Sequence, residues 1–112
     1  MDYKGKHVLC DVILENNLSN EELERIIEEG ISHSKMTVVK KVSVPFEPHG
    51  LTAVWILSES HFTVHTYPES NYVSMDCYTC GDEGSPKGAM DHIVETLKPV
   101  KADIKFLLRG TV

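Results

Sequence analysis

The chain has no apolar run long enough to cross a bilayer as a helix. Its first residues, Met1-Asp2-Tyr3-Lys4-Gly5-Lys6, lack the apolar segment of a secretory signal, so the cytoplasm is the expected compartment. There is no cluster of lysine and arginine, and the formal charge is −6. Without a basic footprint for a phosphate backbone, nucleic acid is not expected as a partner. Cysteine is scarce and odd in number: Cys10, Cys77 and Cys80. That set argues against a disulfide framework and leaves free thiols, a metal site or a catalytic thiol. The nucleophile-elbow pattern G-x-S-x-G is absent, which counts against a Ser-His-Asp hydrolase. No internal repeat or low-complexity segment breaks the 112 residues, enough for one domain.

What is present reads as alternating strands and two capped helices. From His7 to Leu14, Val8, Cys10, Val12 and Leu14 form an apolar set that alternates with a mixed one, as in a strand with one buried face. Ser19 followed by Glu22 has the capping-box pattern, and Leu23, Ile26, Ile27 and Ile31 continue as the stripe of an amphipathic helix. Thr37 to Val44 is rich in β-branched residues and predicts a second strand, closed by Pro45. Leu51 to Ser58 is apolar at nearly every position, which predicts a central strand buried on both faces. His61 to Thr66 and Tyr72 to Cys80 both alternate, and Tyr67 to Asn71 is a turn between them. Gly81-Asp82-Glu83-Gly84 breaks the last of these strands. Ser85-Pro86 then opens a second helix with Met90, Ile93, Val94 and Leu97 on its apolar stripe. Ala102 to Leu108 is the final strand.

The sum is an α+β two-layer sandwich, a mainly antiparallel sheet with two helices on one face. Two helices cover one face only. Tyr72, Tyr78, His65 and Trp55 are expected on the other, too much aromatic surface to leave wet, so a homodimer is expected.

Reactive side chains concentrate between Leu57 and Asp82. Cys77-Tyr78-Thr79-Cys80 is a C-x-x-C with His61 and His65 upstream, which raises zinc first. On an alternating strand, residues three apart face opposite sides, so one ion cannot easily collect both thiolates and no metal is expected. A thioredoxin-like pair belongs at a helix start, which this is not. Cys10 and Cys77 read as small core residues, leaving Cys80 as the candidate working thiol. His65 shares a polar strand face with His61, five residues after Ser60. On residue type alone, each of these has an ordinary structural reading.

Taken together, Leu57-Ser58-Glu59-Ser60-His61, His65-Thr66-Tyr67-Pro68-Glu69 and Thr79-Cys80-Gly81-Asp82 resemble the signature of the small prokaryotic-type S-adenosylmethionine decarboxylase proenzymes. Lys4-Gly5-Lys6-His7, Gly50-Leu51-Thr52 and Arg109-Gly110 also fall where that family has similar residues. The resemblance implies self-cleavage between Glu59 and Ser60 into chains 1–59 and 60–112, with Ser60 converted to a pyruvoyl cofactor. It implies Thr52 and His65 as processing residues, His65 taking the α-proton during elimination. Cys80 matches the proton donor of the decarboxylation; a thiol holds its proton at neutral pH, as a donor must. Phe46 and Tyr67 fall where aromatic groups flank the adenine, and Glu69 where a carboxylate meets the ribose. Where the family commonly has tryptophan, this chain has Tyr67.

The pyruvoyl ketone would form a Schiff base with the substrate amine and delocalise the charge left by CO₂, which no protein side chain can do. The implied product is the aminopropyl donor of polyamine (spermidine) synthesis. Two alternatives stand beside it: the same chemistry on arginine or ornithine, and an unprocessed small dimeric binding module.

Overall fold

Side-chain alternation and two serine caps carry the local structure. The computed structural model describes residues 3–80 and 84–112. Met1 and Asp2, and Gly81, Asp82 and Glu83 of the break expected after Cys80, lie outside the described residues. Six strands form one antiparallel sheet: β1 (Gly5–Ile13), β2 (Val38–Pro45), β3 (Leu51–Leu57), β4 (Ser60–Tyr67), β5 (Tyr72–Thr79) and β6 (Lys101–Arg109). Their order is β2-β3-β4-β5-β1-β6, so four consecutive strands meander and β1 is inserted between β5 and β6. Helices α1 (Asn20–His33) and α2 (Pro86–Leu97) cover one face.

The Ser19 side chain accepts from the Glu22 N–H, and the Ser85 side chain from the Gly88 N–H, each supplying a partner that a helix start lacks. Beneath the helices lie Val8, Cys10 and Val12 of β1, Phe62 and Val64 of β4, and Val73, Met75 and Cys77 of β5. Ile27 and Ile31 of α1 and Met90 and Ile93 of α2 close over them. At Gly30 the helices approach so closely that a Cβ would run into the Ile93 side chain.

Two expectations need correction. Trp55 is fully buried on the helix-covered face, its ring edge-on to Phe62 and its Nε1 donating to Glu28 at 3.0 Å. It is no part of the open face. Second, β3 is not buried on both sides. It neighbours the edge strand β2, and Ile56 on its outward side is 45% exposed. An apolar outward face reads the same whether a helix or another chain covers it, and alternation cannot tell the two apart. Val42, Val44 and Leu107 add to the apolar surface on this open face.

Candidate active site

The antiparallel hairpins sort the sequence-predicted residues to two opposite ends of the sheet. At one end, the β3–β4 connection carries Ser58 and Glu59 to Ser60, and Ser60 pairs with Thr79 of β5. At the other, β3 begins at Leu51 and β4 finishes at Tyr67. Five residues separate Ser60 from His65 along one strand, roughly 16 Å at the usual strand rise. The separation decides how the site can work.

At the Ser60 end, three donors converge on one atom. The Glu59 carbonyl oxygen accepts from the Cys80 backbone N–H at 3.0 Å, from Cys80 Sγ at 3.2 Å and from Thr79 Oγ1 at 3.4 Å. This is the carbonyl of the Glu59–Ser60 peptide bond. Cys80 is exposed, whereas Cys77 and Cys10 are buried. Burial pushes the Cys77 thiol up to about 12 and the Cys10 thiol up to about 11, so neither supplies a thiolate at neutral pH. The C-x-x-C divides as strand alternation predicts, Cys77 inward and Cys80 toward the site. Ser60 and Glu59 also line a small hollow with Met36, Thr37 and Ser58.

The far end gathers the rest. Thr52 Oγ1 lies 3.2 Å from His65 Nδ1 across the β3–β4 ladder. Phe46, in the loop between β2 and β3, lines a cavity of about 530 Å³ with Leu14, Asn20, Pro48, Thr66 and Pro68. A space of that size suits a small-molecule ligand. Tyr67 does not line it; its ring stacks on Tyr72 with centroids 5.0 Å apart. Glu69 sits on a short 3₁₀ turn, Pro68–Ser70, and is exposed. Thus Thr52 and His65 meet, and Phe46, Tyr67 and Glu69 share their end of the sheet. Ser60 and Cys80 meet at the other end.

A third group, near the Ser60 end on the open face, escaped the sequence reading. Asp76 Oδ2 lies 2.8 Å from His7 Nε2 and 3.3 Å from His61 Nε2, and Thr63 Oγ1 donates to Oδ1. The ring of His61 stacks on Tyr78. Two imidazoles and a carboxylate at this spacing are a candidate cation set. Arg109 speaks against it: its guanidinium lies 3.3 Å from His7 Nδ1 and can only donate, which leaves the proton of His7 on Nε2, facing Asp76. A metal-binding Nε2 would need that lone pair free.

Burial alone would raise the Asp76 carboxyl, but hydrogen bonds from Thr63, His7 and His61 outweigh it and hold the group below the usual carboxylate range. The stability this confers is therefore present above the ordinary aspartate value near 3.9 and is lost as pH falls through the depressed value. Asp76→Asn, which turns a donor toward the histidines, is expected to cost ~2 kcal/mol at pH 7. In thermal melts its deficit against the parent should shrink below about pH 4; a deficit constant down to pH 2 would contradict the account.

A family model described as S-adenosylmethionine decarboxylase matches residues 6–110 of the chain. A Bacillus cereus protein named S-adenosylmethionine decarboxylase proenzyme 2 is 40% identical over 98% of this chain and 94% of its own length. A Methanococcus aeolicus S-adenosylmethionine decarboxylase proenzyme is 34% identical over 100% of this chain and 98% of its own. Among solved structures, the adenosylmethionine decarboxylase from Aquifex aeolicus superposes with a TM-score of 0.89 at 30% identity, covering 100% of this chain and 95% of that one.

Proposed function

This chain belongs to the S-adenosylmethionine decarboxylase family, and on that premise we propose that it is a proenzyme that cuts itself at Ser60 and then decarboxylates S-adenosylmethionine for polyamine synthesis. The observation that carries this reading is the cradle around the Glu59 carbonyl oxygen, a peptide oxygen met by the donors of Thr79 and Cys80 and followed directly by a serine. Attack by Ser60 Oγ on that carbonyl carbon forms a C–O bond and breaks the C–N bond, and the hydroxyl proton ends on the Ser60 amine. The product is an ester. Removal of the Ser60 α-proton by the His65 imidazole then expels the Glu59 carboxylate. Water hydrolyses the resulting enamine to ammonia and a pyruvoyl terminus, giving chains 1–59 and 60–112. Once formed, that ketone supplies the electron sink that side chains lack.

On this reading, the two groups of residues come together at one site through a second chain. Within one subunit His65 is roughly 16 Å along β4 from Ser60, out of reach of its α-proton. We assign the working enzyme as a two-fold homodimer of open faces. In it the Thr52–His65 end of one chain meets the Ser60–Cys80 end of its partner, and the exposed Val42, Val44, Ile56 and Leu107 find cover. Each active site then takes Ser60 and Cys80 from one subunit. Thr52, His65, Phe46, Tyr67 and Glu69 come from the other. Phe46 and Tyr67 offer aromatic faces to a flat base beside a sulfonium cation, and Glu69 offers acceptors to ribose hydroxyls. Cys80 gives the proton that replaces CO₂. The three free thiols suit a reducing cytoplasm. Among the described residues, no helix is long and apolar enough to cross a membrane.

Two measurements test the reading. The intact mass of purified protein should resolve into fragments 1–59 and 60–112, the latter with a pyruvoyl terminus. CO₂ release should follow S-adenosylmethionine and not arginine or ornithine. A chain still whole after long incubation would favour a binding module; release from a basic amino acid would keep the mechanism and change the substrate.

A further inference from the structure

Along β5 the inward positions run Val73, Met75, Cys77 and Thr79, three residues without a hydroxyl and then one with it. Thr79 is 1% exposed, the one polar side chain buried in the core among the described residues. Burying a hydroxyl is unfavourable unless it finds partners, and valine would fill the same volume more cheaply. One of its partners is the Glu59 carbonyl oxygen, the atom that also takes the Cys80 N–H. Two donors of this kind, fixed by a strand end, form the arrangement that stabilises a developing oxyanion.

We infer that the Thr79 hydroxyl is a catalytic residue of self-cleavage, acting with the Cys80 N–H as an oxyanion cradle for ester formation. The inference rests on the processing reading above and deepens it. When Ser60 Oγ adds to the Glu59 carbonyl carbon, the π electrons move to the carbonyl oxygen, which carries the negative charge of a tetrahedral adduct. Collapse of that adduct re-forms the carbonyl and breaks the bond to the Ser60 nitrogen, which takes the proton. Thr79 donates to the oxygen throughout and is itself unchanged. At 3.4 Å the bond is long in the uncut chain, and it shortens as charge develops. The position of Thr79 opposite Ser60 in the β4–β5 ladder fixes the hydroxyl beside the scissile bond without any loop movement.

The step assigned to Thr79 is distinct from the one assigned to His65, and hydroxylamine separates them because it cuts esters and not peptides. In the His65→Ala protein, where elimination is blocked, added hydroxylamine should release fragment 60–112 with an intact serine terminus. Adding Thr79→Val to that background should slow this release roughly 10- to 100-fold. Thr79→Ser in its place should stay within about fivefold of the His65→Ala protein. Thr79→Ala serves in place of valine should the latter fail to melt cooperatively. If release is as fast without the hydroxyl as with it, or if Thr79→Ser is as slow as Thr79→Val, the inference is overturned while self-cleavage stands. If the parent chain never cuts, the processing reading itself has failed.

Discussion

A chain carrying Ser60→Ala and a chain carrying His65→Ala, each uncut when made alone, are expected to restore cleavage to each other when co-expressed. In the mixed dimer one site has lost both groups, and the other pairs an intact Ser60 with an intact His65 from the opposite subunit. Random assembly in equal amounts makes about half of all dimers mixed, so roughly a quarter of all chains should be cut. Every cut chain should come from the His65→Ala partner, since the other has no hydroxyl to form the ester. Intact mass distinguishes the two chains directly. Decarboxylase activity should return in proportion to the cut fraction. If His65 worked within its own subunit, mixing would restore nothing, and a cut fraction of zero in a preparation shown to contain mixed dimers would refute the composite site. The expectation joins the proposed role of His65 to strand geometry, because a β-strand cannot fold back to bring residues five apart together.

That geometry also marks how far the sequence could be read. Ser19 and Ser85 announce their helices because a cap is a local event, decided within four residues of chain. The split of Cys77 from Cys80 was legible for the same reason: alternation is local, and it turns one thiol into the core and the other out. The places where reading failed all involve what lies across the sheet. Trp55 reads as an aromatic of the open face, but its parity along β3 matches Leu51, Ala53 and Leu57, all buried under the helices. Ser60 and His65 look adjacent in a line of letters and lie at opposite ends of a rigid element. Asp76 gave no signal at all. Its partners His7 and Thr63 are 69 and 13 residues away, and only strand order brings them together. Thr79 was visible in the motif yet reads as an ordinary strand threonine until its hydroxyl is seen on the Glu59 oxygen. The resemblance supplied roles for single residues, and the topology, which puts Ser60 and His65 at opposite ends of β4, is what motivates the proposal that two chains share them.

Cys80→Ala should separate the two reactions proposed for this end of the sheet. Cys80 offers two donors to the Glu59 oxygen, its backbone N–H at 3.0 Å and its thiol at 3.2 Å. Alanine removes the second and keeps the first, and the Thr79 hydroxyl is untouched. The cradle therefore retains two of three donors, the weak thiol being the least effective, and cleavage is expected to slow less than tenfold. The role proposed for Cys80 in decarboxylation is different. The carbon that loses CO₂ must gain a proton at the right atom, and the exposed Sγ, 3.2 Å from the Glu59 carbonyl oxygen, is the donor proposed for it. Removing a positioned acid typically costs 10²–10⁴-fold, so kcat should fall by at least ~100-fold in fully cut protein while KM changes little. A cut fraction near that of the parent, with turnover reduced to this extent, is the expected pattern. Turnover at the parental rate would remove Cys80 from the decarboxylation. A chain that does not cut at all would instead make its thiol, and not the N–H and Thr79, the essential donor to the scissile carbonyl.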